Sequence, residues 1–210
     1  FSILNDSNNP VPTHPFGSGL LSSPFVALGN VLDSLFDKTL KEENNMTYFF
    51  YSMASIVFFF LTLIFIRKTL IAINIKRIDS LTILALLLGS GLAYYAFERF
   101  SMTHAFEVFT ISLLIYQSTN FFKNKSKWSA ISIPLTLTIS FFVKMSNYFV
   151  FLIPLITKFL VVEKFDVKNN LTKNFYFILS TLFSSGLYAV ISTNIYGKIM
   201  FNPQEVYSSN

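Results

Sequence analysis

The chain has 210 residues, of which 52% are hydrophobic, 18% are aromatic and only 13% are charged. Its mean hydropathy is +0.53. This composition excludes disordered, coiled-coil and collagen-like proteins, because each of these requires a polar or strictly periodic sequence. The absence of cysteine excludes disulfides, thiol catalysis and thiolate metal sites. A polytopic, all-α membrane protein is the class that remains.

Six long apolar runs, with few or no charges, predict six transmembrane helices. At 1.5 Å per residue, a run of about 20 residues covers the roughly 30 Å of a bilayer's hydrocarbon. The fourth and fifth runs are shorter and each carries a proline, which a membrane bundle tolerates; a re-entrant pair over 128–162 is the alternative. The predicted spans are 46–66, 80–97, 100–122, 128–143, 145–162 and 175–197.

The basic residues predict how these spans are oriented. Eleven of the 16 lysines and arginines fall on one side of the predicted bundle, which the positive-inside rule makes cytoplasmic. The net charge of +5 is therefore a topology signal, and it gives no support to nucleic-acid binding. The eleven are Arg67, Lys68, Lys76, Arg77, Lys123, Lys125, Lys127, Lys158, Lys164, Lys168 and Lys173.

The chain accordingly divides into an extracytoplasmic loop at 1–45, a helix bundle at 46–200 and the start of an extracytoplasmic segment at 201–210. Within the loop, Ser23 can cap a helix that has Pro24 at its first position. The apolar residues that follow recur at three- and four-residue steps, which predicts an amphipathic helix. Such a helix lies either on the outer membrane surface or over the bundle as an ordinary surface helix. The apolar residues are Phe25, Leu28, Val31, Leu32, Leu35 and Phe36.

Ionisable groups are predicted to gather near the outer end of the bundle. Glu107 lies about seven residues into the third span, and His104 precedes it by one turn on the same helical face. Charges in a membrane span mark functional sites by default. The structural alternative is that Glu107 and His104 pair with each other or with Arg99 to hold helices together, and that Arg99, Lys144 and Lys158 are snorkelling residues. No metal-ligand spacing, nucleophile elbow or phosphate loop is present.

Three segments resemble GT-C glycosyltransferases of the protein-mannosyltransferase and aminoarabinose-transferase type. Residues 13–29 (THPFGSGLLSSPFVALG) are similar to the segment that follows the first extracytoplasmic loop in this superfamily. Residues 96–107 (AFERFSMTHAFE) resemble the segment in which an arginine and an acid open a span. Residues 129–154, which contain FFVKMSN, resemble the segment after it. The resemblance covers about residues 10–160.

The resemblance implies transfer of a sugar from a polyprenyl-phosphate carrier to a glycan, lipid or protein acceptor on the outer face of a bacterial cytoplasmic membrane. It also allows for Mg²⁺ or Mn²⁺. Cations must neutralise the leaving phosphate, and a carboxylate must act as a base or hold the metal. The candidate phosphate-binding residues are Arg99 and Lys144; the catalytic candidates are Asp6, Glu107 and His104; the substrate-binding candidates are His14, Glu98 and Asn147.

The sequence departs from this family at its start. The family's catalytic acid sits just after the first span, whereas this chain begins inside the first loop, where Asp6 is the earliest acid. We therefore expect the principal catalytic acid and the first span upstream of Phe1. Two other classes remain open. A transporter of lipid-linked or hydrophobic solutes would use Glu107 and His104 for proton coupling. A non-catalytic membrane subunit would use its polar residues only to pack helices.

Overall fold

The structure is a computed structural model that describes residues 3–4, 10–11, 16–36, 45–75, 80–99, 103–124, 127–144, 147–161 and 167–199. Within these ranges the chain is helical apart from one two-residue strand pair, β1 (Ile3–Leu4) with β2 (Pro10–Val11), which run antiparallel. The helices are α1 (Phe16–Leu35), α2 (Met46–Ala72), α3 (Ser80–Gly89), α4 (Leu92–Phe97), α5 (His104–Asn124), α6 (Lys127–Val143), a 3₁₀ turn (Tyr148–Phe151), α7 (Leu152–Val161) and α8 (Val167–Tyr196). The predicted all-α class is confirmed.

The predicted six-span bundle is not confirmed. Among the described residues, α2 and Ile178–Tyr196 within α8 are long and apolar enough to cross a membrane. Three further apolar helical segments are shorter, at Ser80–Gly89, Ile131–Val143 and Tyr148–Val161. The second predicted span fails to form one helix because the chain breaks at Gly91, whose φ of 76° lies in the left-handed region.

Helix α5 lies at the centre of the bundle. It packs against α2, α6 and α7, while α6 also packs against α8. Aromatic side chains fill the space between α2 and α5, where the ring of Phe58 contacts the rings of Phe106 and Phe109 at centroid distances of 5.2 and 4.6 Å. Between α6 and α8, Tyr188 packs on Phe142 at 4.9 Å. Because α5 contacts these three helices and also α4, its side chains face protein on most sides.

Helix α1 begins earlier than predicted. It starts at Phe16, so Ser23 and Pro24 lie inside the helix and the predicted cap at Ser23 is wrong. Proline has no N–H with which to bond the carbonyl of Leu20 four residues earlier. The hydroxyl of Ser23 donates to that same carbonyl at 2.8 Å, which compensates for the missing bond and lets the helix pass through Pro24.

Helix α1 is attached to the bundle at two points. Gly17 approaches the backbone of Phe142 and Val143, and Gly29 approaches the backbone of Thr47, so closely that a Cβ atom would have no room at either position. The carboxylate of Asp33 accepts hydrogen bonds from the backbone N–H groups of Met46 and Thr47 at 2.7 and 2.9 Å. These amides belong to the first turn of α2, whose N–H groups have no partners within the helix.

Polar and apolar side chains are distributed unusually over the described residues. Twenty polar or charged residues are buried, as many as the buried hydrophobic ones. Lys158, predicted to snorkel at a helix end, is one of them, so that prediction is wrong. At the same time, large apolar side chains of α2, α6, α7 and α8 are exposed, among them Trp128, Phe159, Leu160 and Leu182. Soluble folds expose charged side chains and bury mainly apolar ones.

Candidate functional site

An ion pair between α5 and α6 forms the centre of the candidate site. The Nζ atom of Lys144 lies 3.1 Å from each carboxylate oxygen of Glu107. The glutamate side chain is 11% exposed and the lysine side chain is 38% exposed. The carboxylate is therefore largely enclosed, while the ammonium group keeps access to the surroundings and can contact a second anion.

The ends of the two helices favour these charges. Glu107 lies in the first turn of α5, and Lys144 directly follows the last residue of α6. The positive N-terminal end of a helix dipole stabilises an acid, and the negative C-terminal end stabilises a base. The backbone N–H of Lys144 still donates to the carbonyl of Ser140 at 3.1 Å, so the lysine continues the helical hydrogen-bond pattern of α6.

An imidazole completes this group. Nδ1 of His104 lies 3.5 Å from Oε2 of Glu107, and the histidine side chain is 39% exposed. The ring of Tyr95 packs against the His104 ring at 4.2 Å between centroids. The pairing of His104 with Glu107 follows from their i, i+3 spacing. Tyr95 was missed by sequence reasoning, because the sequence of α4 does not show which of its side chains faces the start of α5.

The remaining helix ends reach the same place through specific contacts. The hydroxyl of Ser55 in α2 donates to the carbonyl of Ala96 in α4 at 2.6 Å, which fixes the end of α4 beside the first half of α2. Phe16 at the start of α1 packs edge-on against Phe142 at 5.8 Å. One end of the bundle thus brings together the starts of α1 and α5, the first half of α2 and the ends of α4 and α6.

Arg99 and Glu98 lie at the end of α4 and both are exposed. The guanidinium Nε of Arg99 donates to the hydroxyl of Tyr94 at 3.0 Å. In the described part of the chain, no hydrogen bond or ion pair links Arg99 to Glu107 or Lys144. The predicted pairing of Arg99 with Glu107 does not occur, and its guanidinium keeps most of its donors for another group.

Asn147 differs from the other candidates because its side chain is only 1% exposed. Its backbone N–H donates to the carbonyl of Lys144 at 3.0 Å, so it closes the turn that follows α6. Within the described residues its Nδ2 atom has no hydrogen-bond partner. A substrate would reach this amide only from inside the bundle. Asp6 and His14, the other two candidates, lie outside the described residues.

The described residues do not fit a divalent cation. No group of three His, Asp or Glu side chains comes together in the described ranges. Glu107 and His104 are potential metal ligands that lie next to each other, but both carboxylate oxygens of Glu107 accept hydrogen bonds from the ammonium group of Lys144. A second cation at this position would be repelled by that charge, so no metal-dependent step is assigned to this group.

Comparison of the chain with known protein families, curated proteins and solved structures finds no match to any of them. The chemical interpretation of the site depends on its geometry.

Proposed function

We propose that this chain belongs to an integral-membrane glycosyltransferase that moves a sugar from a polyprenyl-phosphate carrier to an acceptor on the extracytoplasmic face. The observation that carries the proposal is the convergence of Glu107, Lys144 and His104 at one end of a helix bundle, with the lysine and the imidazole both more than a third exposed. Sugar transfer requires a cation to bind the phosphate and a base to deprotonate the acceptor hydroxyl. Lys144 and His104 can supply this cation and this base, and both lie next to Glu107.

The proposed setting is a six-span bundle in a bacterial cytoplasmic membrane, with residues 1–45 on the outer side. The exposed apolar side chains of α2, α6, α7 and α8 support a lipid environment, since water would disfavour them. The buried serines and threonines support it as well, because membrane helices associate through small and hydroxyl-bearing residues. Helix α5 is protected from lipid by its neighbours, which accommodates its polar residues.

The proposed reaction is a displacement at the anomeric carbon of the donor sugar. The acceptor oxygen forms a new bond to that carbon, the bond from the carbon to the phosphate oxygen breaks, and the electron pair leaves with the carrier phosphate. The acceptor hydroxyl gives its proton to a base. Stabilising the developing charge of the leaving phosphate and removing this proton are the two tasks for the protein.

The candidate residues divide these tasks. Lys144 neutralises the phosphate through its exposed side, with Arg99 as a second cation from the end of α4. His104 takes the proton, and Glu107 orients the imidazole at Nδ1. Because the carboxylate of Glu107 is already bonded to Lys144, it positions two groups rather than acting as the base itself. Asp6 stays a candidate acid.

The test is a sugar-transfer assay on membranes that contain the protein, with a radiolabelled polyprenyl-phosphate sugar as donor. We expect Lys144→Met to lower turnover about 100-fold or more, the usual scale for loss of one transition-state charge contact. Arg99→Ala should lower it as well. The matched control is Lys123→Met, an exposed lysine in the last turn of α5. Full turnover in both Lys144→Met and Arg99→Ala, with folding preserved, contradicts the phosphate site.

A transporter of lipid-linked solutes is the second candidate, and the break between α3 and α4 favours it. Discontinuous helices form the substrate sites of many transporters, and the chain leaves the helical path at Ser90 and Gly91. The two functions differ in their product. Transport moves a fluorescent lipid-linked sugar across sealed vesicles without changing it, whereas transfer releases the free carrier phosphate.

A further inference from the structure

The outer face of α1 carries three of its large apolar side chains. Leu28, Val31 and Leu35 are 48%, 55% and 70% exposed. Their spacing of three and four residues places them on one side of the helix. On the other side, Phe16 and Phe25 pack against the rings of Phe142 and Phe58. Apolar side chains of α1 therefore face both the bundle and the outside, whereas a helix that only covers a soluble protein keeps its apolar stripe against the core.

This outer face has neither charges nor unsatisfied hydroxyl groups. Asp33 is the one charged residue between positions 16 and 36, and its carboxylate is buried against the first turn of α2. The exposed residues Ser23 and Ser34 lie to one side of Leu28 and Leu35, and their hydroxyls donate to backbone carbonyls of α1 at 2.8 and 2.7 Å. The hydroxyl groups of α1 thus mark a side of the helix separate from Leu28 and Leu35.

The position of α1 places this face beside a candidate membrane helix. The hydrogen bonds from Met46 and Thr47 to Asp33 fix α1 to the start of α2, which is long and apolar enough to cross a membrane. Tyr48 and Phe49, in the same turn of α2, are exposed large apolar residues. The apolar surface of α1 is therefore next to the point where α2 would enter a bilayer.

We propose that α1 lies at the boundary between lipid headgroups and acyl chains, with Leu28, Val31 and Leu35 in the lipid and the opposite face, which carries Phe25, Gly29 and Asp33, on the bundle. The proposal rests on the membrane placement of α2 given above, and it does not require the transferase activity. Gly17 touches Phe142 and Val143, directly before Lys144. An embedded α1 therefore holds the Glu107–Lys144 pair near the depth of the phosphates of the headgroups.

The absence of cysteine permits a direct test with single nitroxide labels. Leu28→Cys and Leu35→Cys place labels on the apolar face, Ser23→Cys places one on the hydroxyl-bearing side of the same helix, and Ile64→Cys places a reference on an exposed position of α2. The complete chain is reconstituted into vesicles of phosphatidylcholine and phosphatidylglycerol. Collisions with oxygen, which concentrates in lipid, are compared with collisions with a water-soluble nickel chelate.

We expect the labels at positions 28, 35 and 64 to collide mainly with oxygen. The label at position 23 should collide with the nickel chelate several-fold more often than the other three labels do. If position 64 prefers oxygen while 28 and 35 prefer nickel, α1 faces water and this proposal alone is overturned. If 28 and 35 are shielded from both reagents, a second copy or another protein covers the face, which also overturns it. A nickel preference at position 64 overturns the membrane placement of α2 together with this proposal.

Discussion

At the scale of single residues, Glu107 depends more on Lys144 than Lys144 depends on Glu107. The Glu107 side chain is 11% exposed and has little access to solvent, whereas the Lys144 side chain is 38% exposed. Removing one partner from a buried pair leaves the other group without compensation, and that cost rises with burial. The two single substitutions should therefore have unequal effects on stability.

We expect Lys144→Met to lower the free energy of unfolding by about 1–3 kcal/mol, because it leaves a largely enclosed charge unpaired. Glu107→Gln should cost less than about 1 kcal/mol, since Lys144 can turn toward the surroundings. The measurement is reversible unfolding in mixed detergent micelles, with the double variant Glu107→Gln/Lys144→Met completing the cycle. Contacting residues couple by about 0.5–3 kcal/mol; strictly additive effects would mean that the pair contributes no stability.

The same ion pair separates structural from chemical roles. If Lys144 only held α5 to α6, the double variant would regain both stability and any transfer activity, because no unpaired charge remains. A lysine that binds phosphate is needed even when the fold is intact. Comparing the stability and the turnover of the double variant therefore tests whether the site is more than a helix contact.

At the scale of elements, the contact between α1 and α2 depends on a glycine. A Cβ atom at Gly29 would lie 2.5 Å from the Cα atom of Thr47 and 2.9 Å from the carbonyl oxygen of Met46. Both atoms belong to the backbone, so neither can move aside as the end of a flexible side chain could. The closeness also lets Asp33, one turn further along α1, reach the amides of Met46 and Thr47.

We expect Gly29→Ala to lower the free energy of unfolding by about 1–3 kcal/mol, the usual cost of overpacking a tight contact. Gly19→Ala is the matched control in the same helix, because no atom lies within 4 Å of its added Cβ. It should gain up to about 1 kcal/mol from the higher helix propensity of alanine. Thermal unfolding of both variants provides the comparison. A Gly29→Ala variant as stable as Gly19→Ala would rule out this approach of α1 to α2.

At the scale of the whole molecule, the number of membrane crossings is the main open prediction. Among the described residues, two helical segments satisfy the length and hydropathy of a span, and α5 is not one of them. With 21 residues α5 is long enough to cross about 30 Å. Its polar residues lower its hydropathy, but α2, α6 and α7 pack against it and several of these polar residues are buried. A helix inside a bundle need not be as apolar as one in contact with lipid.

A six-span bundle places Arg99 and Lys123, at opposite ends of α5, on opposite sides of the membrane. Arg99→Cys should react with a membrane-impermeant maleimide added to intact spheroplasts, whereas Lys123→Cys should react only after permeabilisation. Both residues are exposed, so an unlabelled site means an inaccessible compartment. Labelling of both variants in intact spheroplasts would show that α5 does not cross.

The sequence predicted most of the residues of the candidate site, but it predicted only some of the contacts between them. The apolar runs indicated where helices lie, and the i, i+3 spacing of His104 and Glu107 put the two on one face. Sequence reasoning offered His104 or Arg99 as the partner of Glu107 and missed Lys144, because periodicity along one helix does not show which side chain of another helix it meets. The structure selects Lys144, from a helix 37 residues away, and brings Tyr95 to His104 through the α4 end.

The sequence by itself determined the helical class, the approximate positions of most helices and an amphipathic segment within α1, because these follow from local composition and periodicity. Only the tertiary structure decided which face of α1 meets the bundle. Leu28, Val31 and Leu35 turn outward, while Gly17, Gly29 and Asp33 permit close backbone contact with the bundle and cap α2. In the same way, the Glu107–Lys144 pair forms because the start of α5 lies beside the end of α6. Contacts between distant segments depend on which surfaces fit, and periodicity along one helix contains no information about its neighbour.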